Sequence, residues 1–158
     1  MPDGDAMRKA LEKLVVDFTE AFNREDIDEV MSYFAEDAIY DEFHGGRHVG
    51  KAAIRDAFIP QFRGDYGRMR FHTEDMFVDT GPETGPETGT GKALIRWLLT
   101  IEDETRAGGW RGLDILHFEG GRLMEKHTYA KTRSPRVDKK QESERVRRAI
   151  DEGVLTKL

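Results

Sequence analysis

Apolar residues Met7, Leu11, Leu14, Val15, Phe18 and Phe22 recur at helical spacing, which predicts a first helix with Asp3 or Asp5 at its start and Asn23 near its end. Asp26 and Glu29 then stand as cap and third helical residue of a second helix. Its stripe is Ile27, Val30, Met31 and Phe34, and it is predicted to end near Ala35. Ala38 to Phe43 reads as a short strand, Gly45-Gly46 as a turn and Arg47 to Val49 as a brief return. Gly50 opens a third helix presenting Ile54, Ala57 and Phe58, and Pro60 stops it soon afterwards because proline lacks the amide proton a helix interior needs.

After Gly67 the period falls to two residues, in the stretches Arg68 to Val78, Lys92 to Glu102, Trp110 to Phe118 and Leu123 to Ala130. Strands that follow helices, with no crossover helix between them, predict an α+β meander whose successive strands pair antiparallel. The duplicated Gly-Pro-Glu-Thr unit between Gly81 and Gly89 has no apolar surface to bury and reads as a loop, either a lid or a lengthened hairpin connection. Beyond Ser134-Pro135 the chain becomes strongly charged, and Asp138 to Asp151 forms a plausible helix with a thin apolar stripe. The expected organisation is therefore one domain over residues 1–134 and a charged tail over residues 135–158.

Composition narrows the chemistry. Nine Phe, two Trp and four Tyr among 158 residues are enough for one core, and a net charge of −6 offers no basic field for nucleic acid or an anionic membrane. There is no cysteine, so disulfides, thiolate metal sites and thiol nucleophiles are excluded. The N-terminal residues carry no apolar stretch of signal length, and a cytoplasmic location is expected. Gly45-Gly46, Gly108-Gly109 and Gly120-Gly121 all read as hairpin turns rather than phosphate loops, which disfavours nucleotide binding.

Ala93, Ile95, Trp97, Leu99 and Ile101 share one face of their strand, so that face is expected to look inward. On the following strand Trp110, Gly112, Asp114, Leu116 and Phe118 share a face, which sets Asp114 among bulky apolar side chains with Gly112 leaving room beside it. A buried carboxylate must be hydrogen-bonded, paired or kept neutral, so Asp114 is either a working acid or one half of an ion pair with Arg96 or Lys126. The alternate face carries Leu113 and Ile115, so this strand alone leaves the inward side open. Ala38, Tyr40 and Glu42 share one face of the first strand, Ile39, Asp41 and Phe43 the other, and either can point inward. Tyr40 beside Glu42 would give a hydroxyl and a carboxylate at neighbouring depth, the composition a proton-transfer site needs. His44, His48, His72, His117 and His127 lack metal spacing, and His117 and His127 are expected to meet on the outer side of the sheet.

The segments AFNREDIDEVMSYFAEDAIYDEF, HVGKAAIRDAF and GLDILHFEGGRLMEKHTYAK resemble the nuclear transport factor 2-like superfamily, in particular its SnoaL-like polyketide cyclase and ketosteroid isomerase-like branch. The resemblance spans about Met7 to Lys131 and implies a cystatin-like, cone-shaped α+β barrel: helices against a curved sheet, an apolar pocket for a small hydrophobic molecule, no cofactor, and a homodimer through the outer sheet face. It places Glu42 where the isomerases keep a proton-abstracting acid and Asp114 where they keep a protonated, hydrogen-bond-donating one. Phe18 falls at the position of their oxyanion tyrosine, and Thr128 at an aspartate of the epoxide hydrolase branch, so neither of those reactions is implied. The expected catalytic set is Asp114, Glu42 and Tyr40. The expected ligand-binding set is Phe18, Phe22, Phe58, Trp97, Leu99, Trp110, Leu116 and Thr128. A cyclase or isomerase-type enzyme fits this set, with a non-catalytic binder or a dimeric interaction domain as alternatives.

Overall fold

The structure, a computed structural model, describes residues 4–81, 89–102, 107–131, 147–148 and 151–152. Most of the Gly81 to Gly89 loop and of the helix expected over Asp138 to Asp151 lies outside the described residues. No helix among the described residues is long and apolar enough to cross a membrane.

Helix α1 runs Gly4–Asn23 and buries Leu11, Val15, Phe18, Ala21 and Phe22, the face its periodicity predicts. Helix α2, Ile27–Ser32, begins at the Asp26 cap, whose carboxylate accepts from the amides of Asp28 and Glu29. It ends three residues before Ala35, because Phe34 already belongs to strand β1, Phe34–Asp41, where it pairs with Leu123. Strand β2 is Arg47–Val49, and α3 is Lys51–Phe62, which stops two residues after Pro60. Gly50 caps α3 at φ 92°, a left-handed conformation that glycine adopts without a Cβ clash.

Strands β3 (Arg68–Asp79), β4 (Gly91–Glu102), β5 (Ala107–Glu119) and β6 (Arg122–Ala130) form the expected antiparallel meander. Gly108 and Gly109 lie inside β5, paired with Ile101 and Thr100, so they are strand residues rather than a turn. The six strands run in the order β2-β1-β6-β5-β4-β3, with β1 parallel to β6 and antiparallel to β2. The fold is mixed α+β as predicted, but β2 and β3 remain edges, so the sheet curves without closing into a barrel.

The concave face packs on α1 and α3 through a chain of aromatic rings. Phe18, Phe22, Phe34 and Phe58 meet mostly edge to face at centroid distances of 5.3–6.0 Å, and Phe71 meets Trp97 at 5.1 Å. Removing each such ring from water contributes about 1.5–3 kcal/mol.

Gly112 faces Trp97 across the β4–β5 ladder, and a Cβ built there would lie 2.4 Å from the indole Cη2 and 2.5 Å from the Tyr129 carbonyl oxygen. The indole therefore occupies the volume a side chain at 112 would need. Gly112→Ala should destabilise the fold by about 1–3 kcal/mol, read as a lower urea midpoint with altered tryptophan fluorescence. An unchanged midpoint would show that the indole does not rest on this glycine.

Candidate functional site

Parity along β5 turns Gly112, Asp114, Leu116 and Phe118 inward, and Asp114 is 5% exposed. Its oxygens meet donors from two neighbouring strands. The Trp97 indole N–H donates to Oδ2 at 3.1 Å, while the Lys126 ammonium and the Thr128 hydroxyl donate to Oδ1 at 2.7 and 2.6 Å. Lys126 also donates to Thr128 Oγ1 at 2.6 Å. Register explains the convergence, since Asp114 pairs with Thr128 and Leu116 with Lys126. Indole and ammonium nitrogens can only donate, so Asp114 accepts from both. Of the two ion-pair partners open to it, the structure selects Lys126, itself 5% exposed.

Tyr40 stands over this pair. The Lys126 nitrogen lies 4.9 Å from the centroid of its ring, which also stacks on Phe58 at 4.9 Å. Burial pushes the Tyr40 phenol well above its ordinary range, and the charges of Glu42 and Asp114 push it further, against the lowering effect of a hydrogen bond with Thr128. Tyr40 is thus a neutral hydroxyl between two carboxylates. The same geometry settles the inward face of β1, where Ala38 and Tyr40 are buried and Ile39 and Asp41 are not.

Glu42, one residue beyond β1, is directed to the same side, its side chain 14% exposed. Its Oε1 lies 2.9 Å from His48 Nε2, and its Oε2 contacts His44 Nε2. His44 Nδ1 accepts the Gly46 amide proton at 3.2 Å. His48 faces Tyr40 in the β1–β2 register, with ring centroids 5.8 Å apart. Phe43 and Trp110, 6.0 Å apart, form an aromatic edge next to this cluster. The histidines were visible in sequence only as neighbours near a turn. A two-residue turn at Gly45-Gly46 would have paired His48 with Phe43; the turn is instead centred on His44, and this brings His48 opposite Tyr40.

Six of the residues expected to line a hollow, Phe18, Phe22, Phe58, Trp97, Leu99 and Leu116, belong to one packed core and are at most 7% exposed. Trp110 and Thr128 are half-buried. An open concavity of about 770 Å³ lies elsewhere, bounded by Ala35, Glu36, Asp37, Glu119, Gly120, Arg122 and Met124. Its walls are largely charged, and none of the expected site residues lines it. On the outer face His127 Nδ1 contacts Asp41 at 2.8 Å, His117 Nδ1 contacts Glu125 at 2.9 Å, and the two rings meet at 5.9 Å, as strand parity predicts. Burial lowers the His117 pKa, opposed by Glu125. Among the described residues no group of three or more His, Asp or Glu side chains is arranged to hold a metal ion.

A curved, open sheet over an N-terminal helix, with acids on its concave side, defines an α+β scaffold of the nuclear transport factor 2-like kind. The SnoaL-like domain model matches residues 15–126, and the chain belongs to that family. Among solved structures, a nuclear transport factor 2-like protein of unknown function from Mesorhizobium loti is 22% identical, with TM-score 0.63 over 84% of this chain and 98% of that one. A candidate polyketide cyclase from Xanthomonas campestris pv. campestris is 24% identical, with TM-score 0.60 over 79% and 93%. A candidate ketosteroid isomerase from Kribbella flavida is 18% identical, with TM-score 0.60 over 80% and 82%. At these identities the likeness shows the fold. No curated protein matches the chain.

Lys126→Met would leave the Asp114 charge buried without its counter-ion, at a cost of about 3–5 kcal/mol. The double variant Lys126→Met with Asp114→Leu removes both charges and should recover most of that loss. Chemical denaturation of the three proteins measures it, and a single variant as stable as the wild type would contradict the buried pairing.

Proposed function

We propose that this protein is a small-molecule enzyme of the cyclase or isomerase type, moving a proton on a hydrophobic substrate with Glu42 at its basic centre. The observation that carries this reading is the Glu42 carboxylate, largely withdrawn from water beside Tyr40, clasped by two imidazoles and bordered by the aromatic edge of Phe43 and Trp110. An apolar substrate bearing an acidic C–H bond would rest against that edge. Removal of the proton leaves an anion, and the nearest buried positive charge is the Lys126 ammonium beneath the Tyr40 ring. Asp114 accepts from three donors, which favours an orienting role for it, holding Lys126 and Thr128 around Tyr40, over that of a proton donor. The cyclase and isomerase descriptions of the solved neighbours are compatible with this chemistry.

A second reading, a binder without chemistry, is favoured by one observation: Phe18 is locked in the core at 1% exposure and brings no hydroxyl to an oxyanion.

The probe 5-nitrobenzisoxazole separates the two. A base removes its C3 proton, the N–O bond breaks and a coloured cyanophenolate is released, so base strength in an apolar setting is read without knowing the natural substrate. Saturable turnover is expected, falling about 10²-fold or more in Glu42→Gln with the circular dichroism spectrum retained. A wild-type rate no faster than free acetate, with the probe still raising the melting temperature, would favour the binder.

A further inference from the structure

Glu42, His44 and His48 meet on one side of the β1–β2 hairpin, and the order of their contacts assigns a role that carboxylate chemistry alone does not. His44 Nδ1 accepts the backbone N–H of Gly46, so a neutral His44 carries its proton on Nε2, the nitrogen that contacts Glu42 Oε2. Glu42 Oε1 faces His48 Nε2 at 2.9 Å. A carboxylate there can only accept, so neutral His48 is the Nε2–H tautomer with its lone pair on Nδ1. His48 Nδ1 has no hydrogen-bond partner among the described residues. No buried side-chain nitrogen or oxygen among them lacks a partner, so Nδ1 is open to solvent. Glu42, by contrast, has an oxygen against each imidazole.

We propose that His48 is the proton acceptor of the site, acting through Nδ1, and that Glu42 is the positioning residue that fixes its tautomer, with His44 anchoring Glu42 from the turn. The proposal rests on the acid–base reading above and reassigns the accepting atom within it. The substrate proton moves to His48 Nδ1 and gives an imidazolium, whose positive charge the adjoining Glu42 carboxylate stabilises. The electron pair of the broken C–H bond stays on the substrate. Such a carboxylate–histidine pair suits a hydrophobic carbon acid whose conjugate base is delocalised, because an imidazole near neutrality is a stronger base than a hydrogen-bonded carboxylate. The ring of Tyr40 against His48, and that of Phe58 behind it, limit where the imidazole can turn.

Long-range ¹H–¹⁵N spectra of the imidazoles at pH 8 test the tautomer without any substrate. His48 is expected to show a protonated Nε2 and an unprotonated Nδ1 in the wild type, and a mixture of tautomers in Glu42→Gln. A protonated Nδ1, or a tautomer indifferent to Glu42→Gln, would overturn the proposal. With 5-nitrobenzisoxazole, His48→Gln should lose about 10²-fold in rate, and the double variant with Glu42→Gln should be no slower than His48→Gln alone. Rates lost in Glu42→Gln but kept in His48→Gln would reject His48 and leave the enzyme reading standing. Absence of wild-type turnover would reject the enzyme reading, while the spectra still decide the tautomer.

Discussion

Two opposite charges closed inside an apolar sheet face constrain the rest of this molecule. Neither Asp114 nor Lys126 could be withdrawn from water alone, because an isolated buried charge costs several kcal/mol. Together, at 2.7 Å and with Trp97 and Thr128 completing their hydrogen bonds, they can be. The pair demands a particular register of three strands: β4 must bring Trp97 over Gly112, and β6 must bring Lys126 and Thr128 alongside β5. Tyr40 closes it from β1, so the parallel β1–β6 contact is tied to the same set of side chains.

That arrangement divides the polar groups into two tiers with different physics. The inner tier, Asp114, Lys126 and Tyr40 with the half-buried Thr128, is joined by its own hydrogen bonds. The outer tier, Glu42, His44 and His48, is held on a short hairpin where solvent still reaches. Proton exchange with a substrate needs access, so the outer tier is where chemistry can occur, and the inner tier sets the field in which it occurs.

Much of this was legible in the sequence. Helical spacing placed the buried face of α1, and strict alternation in β4 gave the inward side of that strand, while Leu113 and Ile115 left the inward face of β5, and with it the burial of Asp114, open until the structure showed it. Other features could not be read because they depend on partners distant along the chain. Nothing local announces that β1 will run parallel to β6, and Phe34 is drawn from a helical stripe into a strand by pairing with Leu123. Each face of β1 carries one acid, so only the packed core distinguishes Tyr40 from Ile39. Trp97 read as purely apolar, although its indole N–H holds Asp114. Aromatic residues expected around a hollow pack against each other, since ring-to-ring complementarity is a property of three-dimensional arrangement and not of composition.

The ammonium group of Lys126 offers the most direct measurement. Lysine-selective ¹⁵N spectra at neutral pH should show one side-chain nitrogen that is protonated, exchanges its hydrogens with water far more slowly than surface lysines, and lies within through-space contact of the Tyr40 ring. A chain in which every lysine exchanges at the rate of a solvated one would contradict the account.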